Sequence, residues 1–178
     1  MVTLDVLFWL FVVIFALIGM NRGWAKELLV TFSVILGIFV IKVLENYVPL
    51  IKQMSGDPAG TILWLRMLMM IGLVFFGYQS PNIPRLASTN KFIREKLQDS
   101  LLGLFLGAVN GFLIIGSVWY FIHSGGYPFP DIIQAPPAGP TGDAARRLVE
   151  ILPPVWLGVP AIFFAVAIAF IFVLVVFI

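Results

Sequence analysis

The stretch AGTILWLRMLMMIGLVFFGY, Ala59 to Tyr78, decides the class of this chain. A spanning helix needs about 20 mostly apolar residues, and this run supplies them with one charged interruption, Arg66. A guanidinium in the hydrocarbon layer costs roughly 2.5–3.5 kcal/mol on insertion scales. It is held there only beside a partner, in a water-filled crevice, or where its long side chain reaches the interface. The run therefore predicts a membrane helix inside a bundle that encloses polar groups.

The rest of the chain agrees. Hydrophobic residues make up 61% and charged residues 11%, with a mean hydropathy of +1.05. Soluble domains are about a quarter charged, so this composition excludes a water-soluble fold. Eleven Lys and Arg against nine Asp and Glu are too nearly balanced for a nucleic-acid partner; the expected partner is the lipid bilayer. Cysteine is absent, which excludes disulfides, thiolate chemistry and cysteine metal sites. The first residues, Met1 to Asp5, lack the basic segment of a signal peptide, so the first apolar run reads as a permanent helix.

Five runs meet or approach spanning length: Leu4–Met20, Leu28–Leu44, Ala59–Tyr78, Leu101–Ile122 and Val155–Ile178. Apolarity without period-2 alternation argues for helices and against a barrel. The predicted fold is an all-α polytopic bundle with about five transmembrane helices. Asp57 and Pro58 suit the cap and first position of the third helix, and Pro160 bends the fifth or ends a short interfacial turn before it. Residues 1–123 form a four-helix membrane domain. Within it, the basic amphipathic segment 85–99 is expected to lie in the headgroup plane. Residues 124–154 form a Pro- and Gly-rich extramembrane loop with a short helix over Asp143–Leu152, and 155–178 an additional C-terminal transmembrane helix.

Positive charge orients the bundle. The loops after the first and third helices hold Arg22, Lys26, Arg85, Lys91, Arg94 and Lys96, against Lys42, Lys52, Arg146 and Arg147 on the other side. The balance places the N-terminus outside and the C-terminus inside. Trp24, Trp119 and Trp156 fall near span ends, where interfacial anchors belong.

Two patterns stand out. The fourth helix carries Gly103, Gly107 and Gly111 at i, i+4 spacing, a stripe without side chains that either packs closely against another helix or lines a pore. Asp99 just before it reads as the helix cap. The turn after the first helix reads Gly19-x-x-Arg22-Gly23-x-x-x-Glu27. Gly23 permits a tight reversal, and Arg22 and Glu27 either pair across the wet interface or simply mark topology. Arg66 is expected to pair with Asn110, at similar depth in the fourth helix, or with Asp5 in the first.

Both patterns resemble the colicin V production protein (CvpA) family of small bacterial inner-membrane proteins. Gly19, Arg22, Gly23 and Glu27 match its first motif, and Asp99, Leu102, Gly103, Gly107 and Gly111 its second. Ser100 and Asn110 stand where the family usually carries basic residues, and the fifth span exceeds its usual four helices. The resemblance implies a multi-pass protein of the bacterial inner membrane, linked to toxin secretion and envelope function and described as a transporter.

An enzyme is not expected, because the pattern offers no paired acid or nucleophile–base set. No cofactor or metal is expected either. The single histidine, His123, ends a helix and reads as an interfacial polar residue, with a pigment-ligand role as the alternative. A conduit would have to follow Arg66, Asn110 and the glycines. The competing reading is an accessory subunit of a respiratory or photosynthetic membrane complex, its uncharged fifth helix carrying the contact. Either reading admits a homo-oligomer or other membrane-protein subunits as partners.

Overall fold

Backbone polar groups in lipid must be satisfied within the chain, which for a run of apolar residues means a helix. The computed structural model describes residues 3–54, 60–79 and 93–177. Its helices are α1 (Leu4–Arg22), α2 (Trp24–Tyr47), α3 (Pro49–Met54), α4 (Thr61–Tyr78), α5 (Ile93–Ser124), α6 (Pro140–Glu150), α7 (Pro153–Trp156) and α8 (Ala161–Phe177). Among the described residues four helices, α1, α2, α4 and α5, are long and apolar enough to cross a membrane. A fifth crossing arises if the segment Gly142–Trp156 and α8, bent by 64°, form one broken span.

Several boundaries differ from the sequence-based expectation, among them Trp24–Tyr47 for the second helix and Pro140–Glu150 for the short one. The described part of the basic segment, from Ile93, is continuous with the fourth span, so α5 has 32 residues and a length of roughly 48 Å. Nothing between Ile93 and Ser100 breaks a helix, and the amphipathic stretch simply extends it; residues 85–92 lie outside the described residues. Helix α4 starts at Thr61 after Gly60, and Asp57 and Pro58 also lie outside the described residues. At the C-terminal end the two prolines at 153 and 154 start the short α7, and α8 begins only after Pro160.

Helix α1 packs along α5, and α2 is the hub, touching α4, α5 and α8. The main core joins Val30, Val34 and Ile38 of α2 to Met70 of α4, Leu113 and Phe121 of α5, and Ile162 of α8. A second core sets Phe8 and Val12 of α1 against Trp119 of α5 and against Ala145 and Val149 of α6. Trp119 is buried within the bundle, and its indole donates to the Tyr127 hydroxyl at 3.3 Å. The amphipathic α6 closes the bundle at that end, with Ala145 and Val149 inward and Arg147 and Glu150 exposed. Outward faces carry Leu10, Leu68, Phe76, Phe105 and Phe164, all exposed, as helices bathed in lipid do.

Candidate functional site: a buried ion pair beside a glycine seam

The site starts from the turn between α1 and α2. Gly23 has φ +85°, a conformation L side chains rarely adopt, and its amide donates to the Gly19 carbonyl at 3.0 Å. A Cβ there would also stand 2.9 Å from both carboxylate oxygens of Asp99. Glycine is needed twice over at this position, for backbone angle and for space. Asp99 does not cap its own helix. It sits inside α5 and accepts a hydrogen bond from the Trp24 amide at 3.3 Å, so it caps α2 instead.

The glycine stripe is filled by α1. A Cβ on Gly103 would collide with the Gly19 carbonyl oxygen, one on Gly107 would stand 2.9 Å from the Gly19 Cα, and one on Gly111 would meet the Phe15 Cβ at 2.8 Å. Backbone meets backbone along this seam, the geometry that small residues at i, i+4 allow. Leu102, the remaining residue of the second motif, points outward and is exposed.

The seam sets the turn of α1 beside the first turn of α2, and there Glu27 is fully buried. Arg22 Nε donates to Glu27 Oε1 at 2.8 Å, and its Cζ lies 4.4 Å from the centre of the Tyr78 ring. Both guanidinium amino groups also point at the Tyr78 carbonyl, 3.4 Å away. Asn110 completes the acid's shell. Its amide nitrogen donates to Glu27 Oε2 at 2.8 Å and to the Glu27 carbonyl at 2.9 Å. The Asn110 oxygen accepts from the Thr31 hydroxyl at 2.6 Å. The amide's two protons and its oxygen are thus all engaged. The pair is not at a wet interface: a carboxylate buried this fully survives only because cation and amide together replace its water.

Arg66 belongs to a separate cluster at the opposite end of the bundle. Its Nε donates to Glu45 Oε1 at 2.5 Å and its Nη1 to the Ser124 hydroxyl at 2.7 Å, with the Phe121 ring 5.7 Å from Cζ. The expected partners Asn110 and Asp5 are not the ones it finds. Arg66 lies in the second turn of α4, while Glu45 near the end of α2 and Ser124 at the end of α5 reach it from the ends of their helices. A charge this close to a helix end is stabilised by leaning outward. Asp5, in the first turn of α1, has its Oδ1 buried without a hydrogen-bond partner among the described residues. Thus Arg66, Asn110 and the glycines do not form one continuous surface.

Glu45, Thr31, Tyr78 and Ser124 escaped the sequence reading. The Glu27-x-x-x-Thr31 spacing was the available signal, since i, i+4 places both side chains on one face of α2. His123 is exposed, and its Nδ1 lies 3.3 Å from the Tyr127 hydroxyl. Burial pushes the Tyr127 phenol above its usual range, partly offset by the Trp119 hydrogen bond. Among the described residues no group of three or more His, Cys, Asp or Glu is placed to hold a metal.

No curated protein and no solved structure matches this chain. The family model of the Colicin V production protein does, over residues 4–135. That span holds α1 through α5 and with them the turn, the seam and the buried pair, whereas α6 to α8 lie beyond it. On that match the chain belongs to the Colicin V production protein family.

Proposed function

We propose that this protein serves toxin secretion and envelope function in the bacterial inner membrane without catalysing a reaction, by assembling with itself or with other membrane proteins. One observation supports the reading: the ionised groups of the two buried clusters are engaged with one another. Arg22 and Asn110 hold Glu27, Glu45 and Ser124 hold Arg66, and α1 fills the glycine seam. Among the described residues, broad apolar outer faces remain exposed for such contacts. The excess of Lys and Arg in the loops after the first and third helices supports a cytoplasmic position for the Arg22 end.

A second reading, an accessory subunit of a respiratory or photosynthetic complex, draws on α8. That helix carries no charge over seventeen residues and lies beyond the family match. Purifying the full chain from native membranes in mild detergent tests both. A homo-oligomer or a stoichiometric secretion or envelope partner supports the first reading, and co-migration with a respiratory or photosynthetic complex supports the second. A lone monomer that passes solutes across liposomes overturns both.

A further inference from the structure

Helix α4 turns one apolar stripe outward: Trp64, Leu68, Ile71 and Phe75, each more than half exposed and repeating at the helical period. On a spanning helix such a stripe faces lipid. The stripe does not stop at Trp64, in the first turn of α4. The Phe129 ring stands edge-on to the Trp64 indole with 5.8 Å between centres, and Pro128 lies against Gly60, just before the helix. The Ile132 and Ile133 amides both donate to the Phe129 carbonyl, at 3.0 and 2.8 Å, closing a tight turn. A turn of that reach sets its first and fourth side chains on one side, which joins Ile132, 81% exposed, to Phe129.

We propose that the turn from Phe129 to Ile132 is a wedge seated in the bilayer surface at the Arg66 end of the bundle, with lipid acyl chains against Phe129 and Ile132. The occupant follows from continuity: the wedge prolongs the lipid-facing stripe of α4 at Trp64, the side chain type that concentrates where a span meets the headgroups. Both ends of the loop are tied to the bundle, which keeps its middle at that level. Tyr127 is buried with its hydroxyl accepting from the Trp119 indole, and the Pro137 and Gly139 carbonyls accept from Arg146 of α6. Asp131 and Gln134, both exposed, limit the depth. They hold the turn at the boundary of headgroups and acyl chains, where apolar side chains reach roughly 5–10 Å inward. The Pro-rich connection is then a bilayer contact in its own right.

The chain contains no cysteine, so a single introduced thiol reports its own surroundings. I132C and Q134C are compared in the full chain, reconstituted in vesicles of palmitoyl-oleoyl phosphatidylethanolamine and phosphatidylglycerol. A thiol reacts as the thiolate, which forms in water and not in hydrocarbon, so a water-soluble maleimide should modify I132C roughly tenfold more slowly than Q134C. A bimane label on I132C should be quenched by lipid carrying a doxyl group high on its acyl chain and spared by iodide. The same label on Q134C should show the reverse. Equal maleimide rates, or iodide reaching both labels alike, would overturn the proposal. So would a label on I132C that neither quencher reaches, since protein would then cover the turn.

Discussion

Asp99 of α5 accepts the Trp24 amide at 3.3 Å and lies against Gly23, so the fourth span caps the start of the second. The two family motifs are therefore the two sides of one contact. Asp99 closes an orphan amide of the α2 N-terminus and sets negative charge at the positive end of its dipole.

Removing that cap should cost about 0.5–2 kcal/mol, the usual range for capping side chains. D99A should accordingly lower the detergent thermal midpoint, and D99N should lose less. G23A carries a different load, strain at φ +85° together with collision against the carboxylate. The double variant D99A/G23A should recover only the collision part. Strict additivity of the two single changes would show that the contact does not form.

Glu27 gives the largest effect predicted for a polar group. It is fully buried and held by both Arg22 and Asn110. Breaking a buried pair by removing one partner costs about 3–5 kcal/mol, because the remaining charge is stranded. R22L should be close to that figure, and N110L somewhat milder since Arg22 remains. R22L/E27L should be less destabilised than R22L alone. Chemical unfolding in detergent measures all three, and a double variant worse than R22L would refute the coupling.

These residues also show what could be read beforehand. Span number and helical class were legible because lipid constrains them through composition, and the glycine spacing pointed to close packing. The partner of Arg66 was not legible, because a sequence reports depth along a helix far better than the direction in which a side chain faces. Asn110 looked like the acceptor for Arg66 since their depths matched; its rotation on α5 instead aims it at Glu27. The α5 start was misplaced because an amphipathic stretch reads alike as a surface helix or as the extension of a span. The Asp99 cap followed from the same error, as a carboxylate before a helix and one inside it differ only by where the helix begins.

Arg66 should therefore couple to Glu45 and not to Asp5. R66L and E45L are each expected to destabilise by about 1–3 kcal/mol, leaving a partner partly buried and unpaired, and R66L/E45L by less than their sum. R66L/D5L should be additive, as distant sites are. Coupling to Asp5 with none to Glu45 would contradict the observed pairing.

Tyr127 supplies a pH signature outside the spans. Its phenol is raised above its ordinary value by burial first, with the Trp119 hydrogen bond acting the other way. An acid raised in the fold contributes stability in full below its unfolded pKa of about 10 and loses it as pH climbs through the folded value. Thermal midpoints should thus fall above about pH 10 in wild type and fall less in Y127F. An identical alkaline slope in both would assign the loss to other groups.

The seam gives a prediction about shape alone. A side chain on Gly107 has no space, since its Cβ would press on the Phe15 carbonyl and the Gly19 Cα across the helix pair. The obstacle is backbone, which cannot rotate away, so α1 and α5 must separate. Ala108, the next residue, lines an open groove beside Phe112 and leaves room for a larger side chain. G107L should abolish folding or leave α1 undocked, while A108L should cost less than about 1.5 kcal/mol, in the range of tolerated apolar changes. Cysteine crosslinking between α1 and α5 in membranes distinguishes them: the crosslink should vanish in G107L and persist in A108L. Its survival in both would mean that the seam does not close on the glycines.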